Sequence, residues 1–232
     1  MMSATPVFCF AWTVVLYFLA KSIYRRIGLI WLSPAIVVPA LTVILMIIAR
    51  IPYSAYIADT RWIVWLLGPA TVAFAVPIYE YRDTVRRHWL ALFMGVCVGM
   101  TVALVSSLLL ARAFHFDHQV ARSLMARSIS TPFAMALAGK TGGSPELVAL
   151  FTIITGLVGM IAGDVVLSVL RLRSPLAHGA SFGAAAHGFG TARARERSTE
   201  EGVIASLTMV LSGVLMVVVG PALTGAVSSL FG

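Results

Sequence analysis

The chain has 232 residues, a mean hydropathy of +0.95 and only 11% charged residues. Soluble domains carry about a quarter charged residues, so this composition excludes an ordinary soluble globule, and the length suits one membrane domain with no separate soluble one. The net charge of +8 comes from 17 Lys and Arg lying in short clusters between apolar runs, a positive-inside distribution that speaks against nucleic-acid binding.

A helix needs about 20 apolar residues to cross the hydrocarbon core. Six stretches are expected to do so: 7–20, 29–49, 62–79, 90–112, 147–170 and 203–222. The opening "MMSATPVFCFAW" lacks a basic n-region and an A-x-A-like cleavage site, so it is expected to be retained. The first span is short and borrows Tyr24 and its neighbours at the interface, and Ser33-Pro34 suits a helix start in the second. The third is interrupted by Pro69 and Pro77 and ends in Tyr79-Glu80. Cys9 and Cys97 fall inside apolar runs without metal-ligand spacing and are expected to be inert packing residues.

Lys21, Arg25 and Arg26 follow the first span, Arg82, Arg86 and Arg87 the third, and Arg171 and Arg173 the fifth, with Arg193, Arg195 and Arg197 soon after. Placing these clusters in the cytoplasm puts the N-terminus outside, together with the loop 50–61 that holds Arg50, Asp59 and Arg61. The span 90–112 then ends outside and 147–170 begins outside, so the stretch between them, "RSISTPFAMALAGKTGG" (127–143) included, enters and leaves on one face. That stretch is too broken to cross as one helix, and such backbone is tolerated at membrane depth only against protein or a watery cavity. The same holds for 178–200, "HGASFGAAAHGFGTARARERSTE", from the other face.

An offset of 57 residues pairs Leu150 with Leu207, Gly156 with Gly213, Gly163 with Gly220, and Ser130 with His187. This predicts an inverted repeat of 123–170 and 178–223 with a site at the repeat interface. The expected fold is an all-α polytopic membrane protein: one domain over 1–232, with N-terminal helices 1–60 and a core 61–232. It has about six transmembrane helices plus two re-entrant or discontinuous segments, the alternative being that each interrupted segment is a full span.

Some motifs carry little. "GKT" at 139–141 resembles the end of a nucleotide-binding loop, but Ala134 replaces its first glycine. "HFDH" at 115–118 has metal-like residue types on an expected outer, solvated loop. The first interruption says more: Thr131-Pro132 frees backbone groups that Ser128, Ser130 and Thr131 either cap or share with a ligand. A half-helix N-terminus suits a carboxylate, and Arg127 and Lys140 either add attraction or snorkel to the interface. In the second interruption Gly183, Gly188 and Gly190 allow close backbone approach around His187, a structural histidine or a proton-relay or ligand group. Thr191 stands opposite and Arg193 is a second candidate for drawing in an anion, while Asp164, costly within a span, must face protein or water.

"RSISTPFAMALAGKTGG", "GLVGMIAGDVVLSVLRLRSPLAHGASFGAAAHGFGTARARE" and "EEGVIASLTMVLSGVL", with "GPATVAFAVPIYE" earlier, resemble the LrgB family of CidB- and YohK-type membrane proteins over about 60–225. The family's usual Pro-Lys-Ser-Val-Thr-Thr-Pro stands here as Ala126-Arg127-Ser128-Ile129-Ser130-Thr131-Pro132, which keeps the charge but changes its hydrogen-bond geometry. The resemblance implies a multi-pass protein of the bacterial cytoplasmic membrane that moves small monocarboxylates such as pyruvate, glycolate, lactate or glycerate. Its alternative is an antiholin- or holin-like regulator of murein hydrolases acting through a small LrgA/CidA-type membrane partner. Either way neither catalysis nor a cofactor, metal or nucleotide is expected, and a homodimer is the expected assembly. The expected substrate-binding set is Arg127, Ser128, Ser130, Thr131, Pro132, Lys140, His187, Gly190, Thr191 and Arg193.

Overall fold

The computed structural model describes residues 4–73 and 75–228, and among them every regular element is helical. The chain divides between Ala70 and Thr71 into two compact units. In the first, α1 (Ala4–Ile27) packs against α2 (Pro34–Ile48) and α3 (Tyr53–Trp65). Ser33 starts α2 as the sequence suggests: its hydroxyl accepts from the Ala35 amide at 3.4 Å, and Pro34 occupies a first-turn position whose missing N–H costs nothing.

The stretch 62–79, expected to be one span, starts within α3. Within the described residues the stretch is not one helix: α3 ends at its C-cap Leu66, and helix resumes as α4 (Leu67–Ala73) and α5 (Ala75–Glu80) on either side of residue 74, which lies outside the described residues. Pro69 lies just inside α4, where a proline is tolerated, and its missing N–H cannot bond back into the turn of α3 before it, so the apolar run is not one rod. Among the described residues four helices have the length and composition of membrane spans: Thr5–Ile27, Arg82–Ala113, Pro145–Val169 and Thr199–Leu223. Pro34–Ile48 is apolar but shorter.

The second unit is built on α6 (Arg82–Ala113), α9 (Pro145–Val169) and α11 (Thr199–Ser228), with two helical hairpins between them. Hairpin 1 is α7 (His118–Met125), a short 3₁₀ turn at Ala126–Ser128, and α8 (Thr131–Thr141). Asp117 caps α7 by accepting from the Val120 amide at 2.8 Å. Gly142 ends α8 in the left-handed conformation that glycine takes without strain, with φ +75°. The arms close on each other where the Ser144 amide donates to Ser123 Oγ at 2.9 Å, across 21 residues.

Hairpin 2 is α10 (Pro175–Arg197), which reverses at His187, where φ is 47° and ψ is −123°. Arg197 Nη2 lies 3.1 Å from His178 Nδ1, 19 residues back, where one straight helix would hold them roughly 28 Å apart. The arms touch most closely at Gly190, where a Cβ would land on the Phe182 carbonyl oxygen. α9 starts just after α8 returns from the 3₁₀ turn of hairpin 1, meets that turn midway, where Thr155 accepts from Arg127, and ends at the open end of hairpin 2, where His178 Nε2 donates to the Leu172 carbonyl at 2.7 Å. The two hairpins therefore point towards each other from opposite ends of α9.

The hairpins carry the core. Ile129, Ala134, Leu137 and Ala138 of hairpin 1 pack with Val96, Met100, Val148 and Met216, while Phe182 and Ala194 of hairpin 2 pack with Leu167 and Ala205. Large apolar side chains also face outward from the long helices: Val102 is 62% exposed, Val158 58% and Val218 73%. An apolar exterior of this extent is costly in water and needs lipid or protein against it.

Candidate anion site between the hairpin tips

The tips hold the polar chemistry. Arg127, on the 3₁₀ turn of hairpin 1, donates from Nε to Ser107 Oγ at 3.1 Å, from Nη1 to Thr155 Oγ1 at 3.2 Å and from Nη2 to Ser106 Oγ at 2.9 Å. Ser106 and Ser107 are fixed as acceptors because their own protons go to the Ala103 and Leu124 carbonyls. A guanidinium has five N–H donors, so one N–H on each terminal nitrogen remains after these three bonds, the fork that suits a carboxylate. Among the described residues Arg127 forms no ion pair, so its charge is held by neutral hydroxyls alone.

Several buried polar atoms on hairpin 1, α9 and hairpin 2 have no hydrogen-bond partner: Ser128 Oγ, Ser130 Oγ, Thr152 Oγ1 and both ring nitrogens of His187. Ser130 is the N-cap of α8, a position where a serine usually accepts from the helix, yet its side chain makes no cap bond. The amides of the first turn of α8 lack intrahelical partners by construction and carry the positive end of the helix dipole. His187 is 2% exposed, beside the Ser128 main chain and close enough to Arg127 to feel its charge. Arg127, Ser128, Ser106 and Thr155 form the polar part of a half-open, mostly apolar cavity of about 520 Å³, lined otherwise by α6 at Gly95, Gly99 and Val102 and by hairpin 2 at Ala184 and Ala185. Buried donors and acceptors left unmet cost about 1–3 kcal/mol each, so a polar partner for these atoms would be stabilising.

Of the expected set, Arg127, Ser128 and His187 are thus neighbours; Ser130 is buried at the N-cap of α8, and neither it nor His187 lines the cavity. Thr131 and Pro132 follow on the first turn of α8, half-buried. Lys140 is exposed near the far end of this 11-residue helix, about 15 Å along its axis from the tip. Gly190 serves the close approach of the hairpin arms, and Thr191 Oγ1 points to Met209 Sδ at 3.8 Å. Arg193 belongs to the base of hairpin 2, not its tip. It pairs with Asp164 at 2.7 Å and Glu196 at 3.0 Å, while Arg197 bridges Asp164 at 2.9 Å and Glu201 at 2.8 Å. Asp164 thus meets protein, and the charge of Arg193 is already matched, so it has no surplus to draw an anion inward.

Sequence reading missed Ser106, Ser107 and the role of Thr155 as the clamp on Arg127. Ser106-Ser107 does stand out as the one Ser-Ser pair of the apolar α6, but hydroxyls in such helices commonly bond back to their own turn. "HFDH" gathers no metal site: among the described residues no group of His, Cys, Asp and Glu could hold a metal ion, and Asp117 caps α7.

Among the described residues, four span-length helices, the absence of strands and a widely apolar exterior define a multi-pass, all-helical membrane protein. The chain belongs to the LrgB-like family, which matches residues 13–225. It is 35% identical to the Bacillus subtilis (strain 168) protein YwbG over 209 residues, 90% of this chain and 93% of that one. It is 32% identical to the holin-like protein CidB of Staphylococcus aureus (strain N315) over 211 residues, 91% of this chain and 92% of that one. No solved structure matches it.

Proposed function

We infer that the chain is a secondary transporter or facilitator of small monocarboxylates, of the pyruvate, glycolate, lactate or glycerate kind, in the bacterial cytoplasmic membrane. Arg127 carries the reading: one cation, held by hydroxyls and, among the described residues, paired with no carboxylate. A charge in such a place is stable when a counter-charge joins it. One surplus positive charge takes one negative charge, which favours a monoanion. Ser128 and Ser130 supply hydroxyls to it, and the N-terminus of α8 supplies amides.

In this reading both hairpins are re-entrant and enter from opposite faces, with their tips meeting near the midplane. The packing supports an inverted repeat. The Phe189 ring of hairpin 2 lies against Gly156 of α9, and the Phe133 ring of hairpin 1 lies against Gly213 of α11. These are glycines that the 57-residue offset pairs. Each long helix of one repeat thus grips the hairpin of the other, as expected when a site forms at a repeat interface. The reading assigns no covalent chemistry to the chain. Its partners are the carboxylate, the bilayer, a second copy of itself and a small LrgA/CidA-type membrane protein.

A holin-like regulator is the second reading, favoured by the name its CidB relatives carry. The two separate in liposomes that hold the full chain and an entrapped dye. A carrier gives saturable uptake of labelled pyruvate with the dye retained; unsaturable flux accompanied by dye loss supports the pore. Single cysteines at Gly142 and Ala177, in a chain without Cys9 and Cys97, test the topology. Impermeant maleimide reaches position 142 only from outside and position 177 only from inside, and the reverse pattern sinks the re-entrant arrangement.

A further inference from the structure

We propose that His187 is a proton-binding group that makes this chain a proton–anion co-transporter, an inference that rests on the carboxylate reading of the tip site. The backbone gives the first argument. At φ 47° and ψ −123°, His187 turns hairpin 2 in a conformation that glycine adopts freely and a residue with a Cβ adopts at a cost. Glycine stands at the next position, 188, where it is not required, because a Cβ there would meet nothing within 4 Å. An imidazole thus occupies the one turn position where glycine would relieve strain, so its side chain is kept for what it does.

The second argument is its surroundings. Both ring nitrogens are buried and without a partner, although a neutral imidazole offers one donor and one acceptor. From hairpin 1 the group's charged neighbour is Arg127, and Ser128 brings main chain. From α9 come Gly159 against Ala186 and Thr155 into the adjoining cavity, and from α6 come Ser106 and Ser107 behind Arg127. α11 meets the hairpin with Ala205 against Gly183 and Met209 against Thr191. The acids and bases of the hairpin's base, Asp164, His178, Arg193, Arg197 and Glu201, pair among themselves, with His178 and Arg197 nine and ten residues from the tip, about 14 Å along the arms.

The coupling follows from charge alone. An imidazolium beside Arg127 is repelled while the site is empty. A carboxylate on the Arg127 fork attracts both cations, so anion and proton each favour the binding of the other, and by linkage the effect is reciprocal. The proton rides on the imidazole when the anion is present and leaves with it, so each turnover moves one of each and no net charge.

The test uses the full chain in liposomes, labelled pyruvate as the probe and an entrapped pH dye. Wild type should accumulate pyruvate when the outside is made acid, with proton entry in step. His187→Gln keeps a donor and an acceptor but cannot take the proton. It should retain pyruvate counterflow at a reduced rate, lose proton entry, and lose accumulation by about tenfold or more. Absence of counterflow in wild type defeats the carboxylate reading itself. Counterflow in wild type without proton entry overturns only the coupling. Proton entry that persists in His187→Gln, or a variant that loses counterflow altogether, overturns the assignment of the proton to His187.

Discussion

Replacing Arg127 with glutamine should lower the affinity for pyruvate by about a hundredfold and bring uptake close to background. The substitution removes the one unmatched cation between the tips and leaves Ser106, Ser107 and Thr155 without their shared donor. A hydrogen bond to a charged group contributes about 1.5–3 kcal/mol, which is ten- to a hundredfold in binding, and the charge itself is what selects an anion. Arg127→Lys should fall between the two. It keeps the charge, but an ammonium cannot span three hydroxyls and still present a fork. Concentration-dependent uptake in liposomes measures both, with wild-type affinity in Arg127→Gln as the contradicting result. Glu196→Gln, at the base of hairpin 2, serves as the comparison, since its partner Arg193 keeps Asp164.

Gly183→Ala should be strongly damaging to stability for so small a substitution. Gly183 lies in the first arm of hairpin 2, pressed on the backbone of α11. A Cβ there would land on the Ala205 carbonyl oxygen and within 2.9 Å of that carbonyl carbon and of Cα. Backbone cannot swing aside as the end of a long side chain can, and Ala205 is itself fully buried among Leu167, Phe182 and Ala194. Overpacking of this kind costs about 1–3 kcal/mol, sometimes more. The melting temperature in detergent should drop by several degrees, and Gly183→Leu should not give a monodisperse protein. Gly139→Ala, in α8 with nothing within 4 Å of an added Cβ, should be neutral or stabilising by up to about 1 kcal/mol. Equal melting temperatures for Gly183→Ala and wild type would contradict the close packing of hairpin 2 on α11.

Much of the core architecture is legible in the sequence, because hydropathy over about 20 residues is a strong signal and prolines, glycines and hydroxyls mark where it stops. The expected spans at 90–112, 147–170 and 203–222 fall within α6, α9 and α11, and Ser33 and Pro34 open α2. The first half is less legible. An apolar stretch such as 62–79 reads as a span by composition, while the described backbone ends α3 at its C-cap Leu66 and restarts as α4 at Leu67.

For the site, the residues on the turns were findable and their companions were not. Ser130 and His187 stand at equivalent offsets of a repeat and interrupt apolar runs, so they announce themselves. Arg193 and Lys140 look equivalent to Arg127 in sequence, since each is a cation near an interruption. Only the fold-back of the chain separates a cation at a tip from one at a base. Arg193 meets Asp164 across 29 residues, and Arg127 meets Ser107 and Ser106 across 20 and 21. Separations of that order carry no local periodicity, which is why the clamp on Arg127 and the ion-pair network around Asp164 emerge only from the folded chain.

The central claim is that the two hairpin tips form a single carboxylate site. Titration calorimetry of the purified full chain with pyruvate tests it most directly, comparing wild type with a Ser128→Ala/Ser130→Ala double variant of the same melting temperature. The predicted result is one pyruvate per chain in wild type and an affinity about ten- to a hundredfold weaker in the variant, from the loss of buried hydroxyl partners to a charged ligand. Equal affinities in the two proteins, or no pyruvate binding in wild type, would contradict it.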